Sequence, residues 1–266
     1  MSELTPIAST GPSAAFFDLD RTLISGSSAF LLGIAAWRAG LVPTRHFVKD
    51  GLGALSFRLA GASDDTSEGV RDRILGAVQG MRVEDLVALN VDLVPKLIEK
   101  VRPEAARLVD LHRHAGRATY IISASPIEIV EPFAKAMGMT AGIGTRSEIF
   151  DGLYTGRLAG PFCYGPGKVE AMQELARWEG LDLDQCWAYS DSASDLPMLG
   201  AVGHPVAVNP DARLERVAGQ HGWPIVVFSK RTKAVVRRTT QGVALSAAIS
   251  AAAAAGFAAG SRRMLR

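Results

Sequence analysis

The sequence predicts an α/β protein with a Rossmann-like, mostly parallel sheet, and two observations predict it. Short apolar runs recur and each ends in a carboxylate or hydroxyl: Ala14–Phe17 leads into Asp18, Tyr120–Ile122 into Ser123, and Cys186–Tyr189 into Ser190 and Asp191. Stretches with helical spacing separate these runs. Strands buried on both faces read as unbroken apolar runs, and strands alternating with helices build parallel sheets. Such sheets receive ligands outside the carboxyl ends of their strands, where these polar residues fall.

Taken in order, the elements fit that frame. After the first strand, Ser27–Ala39 carries apolar residues at helical spacing and stops at Gly40. Pro43–Leu59 restarts the pattern and Gly61 closes it. Asp64–Gln79 begins with acidic residues, which suits a helix dipole, and Val83–Val101 is a further amphipathic segment. Helices without an intervening strand predict a helical cap over residues 26–101, inserted into a core made of residues 14–25 and 102–228. Pro103–His114 feeds the Ser123 strand and Pro126–Met137 leads away from it. Thr145–Gly160 alternates around Asp151-Gly152, a hairpin signal. A helix then runs from Lys168 to about Trp178, and a short one over Leu196–Leu199 follows the Asp191 strand. Val206–Val208 and Ile225–Phe228 read as the last strands, with a helix from Asp211 between them.

Residues 229–266 differ in composition. Lys230, Arg231, Lys233, Arg237 and Arg238 precede the uncharged, Ala-rich stretch Val243–Ala259, and Arg262, Arg263 and Arg266 follow it. Alanine favours helix, so a C-terminal helix is expected. The stretch is 17 residues long, at the lower limit for a membrane span. Its basic flanks suit peripheral contact with anionic lipid, and a helix docked on the protein is the alternative.

With 266 residues, the chain is long enough to bury a full core and a small accessory domain. A net charge of +2 gives no reason to expect a nucleic-acid partner. Met1–Ser13 has neither a basic nor an apolar leader segment, so a cytoplasmic protein is expected, associated at most with the membrane's inner face. Cys163 and Cys186 lack metal-site spacing and are expected to be free thiols. His112 and His114 stand two apart on a helix, face different ways and make no metal pair; His204 and His221 have no carboxylate pattern beside them. Trp37, Phe47 and Trp187 read as core aromatics, although the first two could line a pocket in the cap.

The chemistry lies in the polar strand ends. Asp18 and Asp20, at i and i+2, would project together from an extended segment, and two close like charges need a cation or a proton between them. Lys168 stands in the first turn of a helix, at the wrong end of the dipole unless an anion compensates it. Asp191 and Asp195, four apart, would share a face if a helix begins there.

Together, Asp18-x-Asp20-x-Thr22, Ser123, Lys168 and the Asp191/Asp195 pair resemble the haloacid dehalogenase superfamily of aspartate-dependent phosphohydrolases, across roughly residues 14–228. The helical insertion resembles the branch that contains the phosphoserine phosphatases. The resemblance implies a phosphomonoesterase in which Asp18 is the nucleophile and Asp20 the acid/base. It also implies that Ser123 and the Ala124 N–H bind phosphoryl oxygens and that Lys168 neutralises their charge. Mg²⁺ would be held by Asp18, the Asp20 carbonyl and Asp191, with Asp195 behind them; Thr22 would orient the loop. Arg21 fills a variable position, either as a solvated side chain or as a substrate contact.

Three departures from that branch bear on the substrate. Ser27 stands where phosphoserine phosphatases carry a glutamate that recognises the substrate's ammonium. Ala124-Ser125 replaces a glycine pair, and the last motif reads Ser190-Asp191 with Ser194 where asparagine is common. The expected substrate is therefore a small or lipid-linked phosphate monoester. Phosphoserine hydrolysis is the alternative, and a catalytically weak lipid-binding scaffold a further one.

Overall fold

The computed structural model describes residues 12–41, 67–228 and 235–237. Ala14–Phe17 (β1) is buried at all four positions because it lies inside a sheet covered on both faces. Its side chains alternate between two cores. Phe16 stacks on Tyr120 with ring centroids 5.5 Å apart in one core, and Phe17 stacks on Tyr189 at 4.6 Å in the other.

The remaining strands are Ala118–Pro126 (β2), Ala141–Thr145 (β3), Ser147–Phe150 (β4), Leu153–Leu158 (β5), Trp187–Ser190 (β6), His204–Val208 (β7), Ile225–Val227 (β8) and Val235–Arg237 (β9). The seven-stranded sheet has the order β3-β2-β1-β6-β7-β8-β9, and every pairing is parallel except β8 with β9. The chain winds one way from β1 through β2 and the other way from β6, so β1 and β6 flank the topological switch point.

The helices are Ser28–Arg38 (α1), Ser67–Val78 (α2), Val83–Ala88 (α3), Asn90–Glu99 (α4), Pro103–His114 (α5), Ile127–Ala136 (α6), Pro166–Glu179 (α7), Leu196–Gly200 (α8) and Ala212–His221 (α9). Ala35, Leu86, Leu93 and Leu97 of the inserted helices join Leu108, Phe133 and one sheet face in one core. Met172, Leu199 and Leu214 cover the other face.

The structure refines several expectations. Val83–Val101 is two helices, broken at Leu89. There the Asn90 side-chain amide donates to the Glu128 carbonyl at 2.7 Å, an external bond that turns the chain toward α6. The Asp151-Gly152 hairpin forms with both residues left-handed, at φ 48° and 74°. It pairs with the inserted segment and not with the main sheet: Gly80 N–H donates to Tyr154 O (2.9 Å) and Tyr154 N–H to Met81 O (3.0 Å). Val235–Arg237, inside the expected tail, adds an antiparallel edge strand to β8. Two adjacent valines give it strand propensity, which the surrounding basic residues mask.

Trp187 is only half-buried, with the Arg117 guanidinium 4.3 Å from its ring centroid and the His204 ring stacked at 4.2 Å. Both cysteines are buried and free. The expected helices Pro43–Leu59 and Val243–Ala259, together with Phe47, lie outside the described residues.

Candidate active site

β1 delivers Asp18 to the sheet edge while the chain is still tied to β6, since Asp18 N–H donates to Tyr189 O at 2.9 Å. The next residues form a tight loop. Leu23 and Ile24 N–H both return to Leu19 O at 3.1 Å, and Arg21 N–H donates to Gly26 O at 3.1 Å. Leu19, Leu23 and Ile24 are fully buried, so apolar side chains anchor the loop from below and leave the polar ones at the crevice.

Lys168 is brought in by the start of α7. Gly165, at φ 52°, turns the chain into the helix, and Gly167 packs where a Cβ would stand 1.8 Å from Phe162 O. That close approach places the Lys168 ammonium in the interior, 3% exposed, 2.6 Å from Asp18 Oδ1 and 2.8 Å from Asp195 Oδ2. These anions compensate the poor helix position. Burial alone would lower the Lys168 pKa, but Asp18 and Asp195 overcome it and hold the group above its ordinary value.

The carboxylates are perturbed the other way. Burial pushes Asp18 up to about 7, with Asp195 and Asp191 adding and Lys168 opposing. Burial, aided by Asp195 and opposed by Arg21, takes Asp191 to about 6. Burial also raises Asp20, against the hydrogen bond that its Oδ1 accepts from Ser28 N–H at 2.7 Å.

Asp191 and Asp195 do not share a helix face, contrary to the spacing argument. A 3₁₀ turn over Ala193–Asp195 precedes α8 and swings Asp195 inward, where Oδ2 also accepts from Ser190 Oγ at 2.7 Å. Thr22 Oγ1 donates to Asp191 Oδ1 at 3.4 Å, and Arg21 Nε pairs with Asp191 Oδ2 at 3.1 Å. Arg21 holds φ 60°, a left-handed conformation that costs a non-glycine residue roughly 1–2 kcal/mol.

Ser123 reaches the crevice because β2 outruns its neighbour. Pairing with β1 ends at Ile121, and the β2–β3 register is irregular between Ile122 and Pro126. Ser123, Ala124 and Ser125 occupy that irregular stretch. Ser123 Oγ accepts Ser125 N–H at 3.2 Å, and Ser125 Oγ shares a 2.7 Å hydrogen bond with Ser28 Oγ of α1. Ser28 was not singled out in the sequence, where hydroxyls are too common to stand out, and Ser125 and Ser190 were noted only as departures from the family's glycines, with no role assigned.

The described histidines take no part. His112 is buried; Arg117 Nε donates to its Nδ1 (2.9 Å), so its Nε2 donates to Tyr189 Oη (2.8 Å). Burial, with Arg117 adding, lowers its pKa to about 3, and it stays neutral. His114 is exposed, and His221 stacks on Trp223.

The donor set fits a hard divalent cation. Asp18, Asp20, Asp191 and Asp195 face two cations, Lys168 and Arg21, which leaves an excess of negative charge, and Asp195 Oδ1 is buried with no partner. Among the described residues no three His, Cys, Asp or Glu side chains already surround one point.

Known proteins resemble this chain along most of its length. A Mycobacterium tuberculosis protein named phosphoserine phosphatase SerB1 is 40% identical over 243 residues, covering 88% of this chain and 77% of its own. A Bordetella pertussis structure described as a protein with unknown function superposes with a TM-score of 0.70 at 28% identity, covering 81% of this chain and 98% of that one. A phospho-aspartyl intermediate analogue of phosphoserine phosphatase shares the fold, with a TM-score of 0.55 at 18% identity over 77% of this chain and 90% of that one. The haloacid dehalogenase-like hydrolase family model matches residues 15–200, the segment that carries Asp18, Asp20, Ser123, Lys168, Asp191 and Asp195, and the chain belongs to that family.

Proposed function

We propose that the chain is a phosphomonoester hydrolase that works through an aspartyl-phosphate on Asp18. The observation that carries this reading is the buried contact of Lys168 with both Asp18 and Asp195 at the switch point of the sheet. A phosphoryl group is crowded with negative charge, so a catalyst needs fixed cations and donors around its nucleophile. Asp18 attacks phosphorus while the bond to the leaving oxygen breaks, and Asp20 gives that oxygen its proton. Asp20 then takes a proton from water as the water attacks the aspartyl-phosphate, returning Asp18 and releasing phosphate.

Asp20 suits this exchange because burial raises its pKa, favouring the protonated form needed first. The Ser28 N–H fixes one of its oxygens. Ser123 and the Ala124 N–H hold phosphoryl oxygens, and Lys168 neutralises the charge that develops. Asp18, Asp191 and the Asp20 carbonyl would hold Mg²⁺, with Asp195 supporting; when bound, the ion would supply positive charge to stabilise the transferring phosphoryl group.

The substrate is read as a small or lipid-linked monoester. The Ser27 side chain accepts the Phe30 N–H as the cap of α1, a bond that supplies no charge for a substrate ammonium. The name of the M. tuberculosis relative favours phosphoserine as the second reading. A lipid-linked substrate would rely on the basic, Ala-rich tail, which apart from Val235–Arg237 lies outside the described residues; among the described residues no helix is long and apolar enough to cross a membrane. Residues 14–25 with 102–228 are proposed as the catalytic core and 26–101 as the cap, with the hairpin of β4 and β5 attached to the cap.

Leaving-group dependence tests the assignment of Asp20. Asp20→Asn should slow hydrolysis of alkyl phosphates far more than of activated aryl phosphates, which need little protonation. Equal losses across leaving groups, in a variant that still binds Mg²⁺, would remove that role.

A further inference from the structure

Of the two cations that contact the site's carboxylates among the described residues, only Arg21 faces solvent. Lys168 is buried, with its bonds directed inward, whereas the Arg21 side chain is 69% exposed at the mouth. Arg21 is held there by its backbone: φ is left-handed at 60° and its N–H closes the loop onto Gly26 O. Strain of this kind at a site calls for a functional reason.

The side chain spends little of its capacity in place. Nε pairs with Asp191, while the two terminal nitrogens donate to no described residue. A guanidinium left open in this way presents the planar fork that grips carboxylates and phosphates through two parallel bonds. It follows Asp20 directly in the chain and touches Asp191, so it belongs to the same loop as the proposed leaving-group acid. Nothing in Ser25-Gly26-Ser27-Ser28, the next stretch of the same loop, would repel an anion.

We propose that Arg21 determines specificity by binding a second anionic group of the substrate, carried on the leaving-group side. The site then prefers phosphate monoesters of acidic molecules to those of neutral alcohols. This assignment rests on the phosphomonoester reading and names the class of its substrate.

Equilibrium binding tests it without turnover. In the full chain carrying Asp18→Asn, with Mg²⁺ present, calorimetry would compare phosphoglycolate and ethylene glycol bisphosphate with ethyl phosphate. The first two differ in whether the second anion is a carboxylate or a phosphate. At least one of them should bind about tenfold or more tightly than the neutral-headed ligand, as a charge-assisted pair allows. Adding Arg21→Gly, which relieves the strained φ and so leaves the loop able to fold, should bring that ratio close to one. Arg21→Lys should keep part of it, since charge remains and the fork is lost. A ratio near one before substitution, or one unchanged by Arg21→Gly, overturns the assignment; a role confined to orienting Asp191 would shift all three ligands together. Turnover of an aryl phosphate by the unsubstituted chain tests the phosphomonoester reading separately. Its failure beside a preserved binding ratio would sink that reading and not the anion site.

Discussion

Lys168 sits where a helix N-terminus repels it, and the interior repels it again; two carboxylates at hydrogen-bond distance reverse both effects. Removing it should therefore be costly. Lys168→Met leaves Asp18 and Asp195 buried against each other, and loss of one side of such a pair costs about 3–5 kcal/mol. Denaturant unfolding at pH 8 should show that loss, and a smaller one at pH 5, where Asp18 takes up a proton. The same logic sets the pH dependence of the metal-free protein. Asp18 and Asp191 have native values of about 7 and 6 against an ordinary 3.8. Raised acids bind protons more tightly in the folded state, so their contribution is fully present below about pH 4 and is lost as pH rises through 6 to 7. Mg²⁺ needs both ionised, so the gain in melting temperature on adding it should be larger at pH 8 than at pH 5. An equal gain at both values would mean that the cation binds elsewhere. At this scale Asp18, Asp20, Ser123, Lys168, Asp191 and Asp195 were legible in the sequence because each is a charge or hydroxyl at a strand end or helix start. The bonds of Ser28 with Ser125 and of Ser190 with Asp195 were not, because only the folded loop shows which hydroxyls meet.

At the scale of elements, the strands were legible wherever burial on both faces forced an unbroken apolar run, as in β1 and β6. Segments whose form depends on a distant partner were harder to read. The break at Leu89 stems from a bond between Asn90 and Glu128, and β9 from an edge that β8 offers. Spacing misled at Asp191 and Asp195, where a 3₁₀ turn took the place of an expected helical face. The start of α7 gives the clearest test of an element's role. Gly167→Ala would place a Cβ 1.8 Å from the Phe162 carbonyl, so the helix start must shift and Lys168 with it. Activity on a soluble aryl phosphate should fall at least tenfold, on the scale that small misplacements produce. Gly76→Ala, in a helix where a Cβ would meet nothing within 4 Å, is the matched control and should hold its stability or gain slightly.

Among the described residues, one core runs continuously from the inserted helices to a face of the sheet, so these helices and the loop of Leu19, Leu23 and Ile24 are supported by shared packing. Truncation distinguishes the role of β9 from that of the tail beyond it. Ending the chain after Phe228 removes β9 and uncovers the edge of β8, and its melting temperature should drop below that of a chain ending after Arg237. If the basic, Ala-rich segment serves a lipid-linked substrate, the chain ending after Arg237 should keep aryl phosphatase activity and lose binding to anionic vesicles, most visibly at low salt. Unchanged vesicle binding would remove the lipid reading. The central claim is that the phosphoryl group passes through Asp18, and trapping it is the most direct measurement. The full chain, turning over a labelled phosphate monoester with Mg²⁺ and quenched in acid, should carry the label on the peptide that contains Asp18, and Asp18→Asn should carry none. Label on another residue, or steady turnover by Asp18→Asn at the rate of the unsubstituted chain, would contradict it.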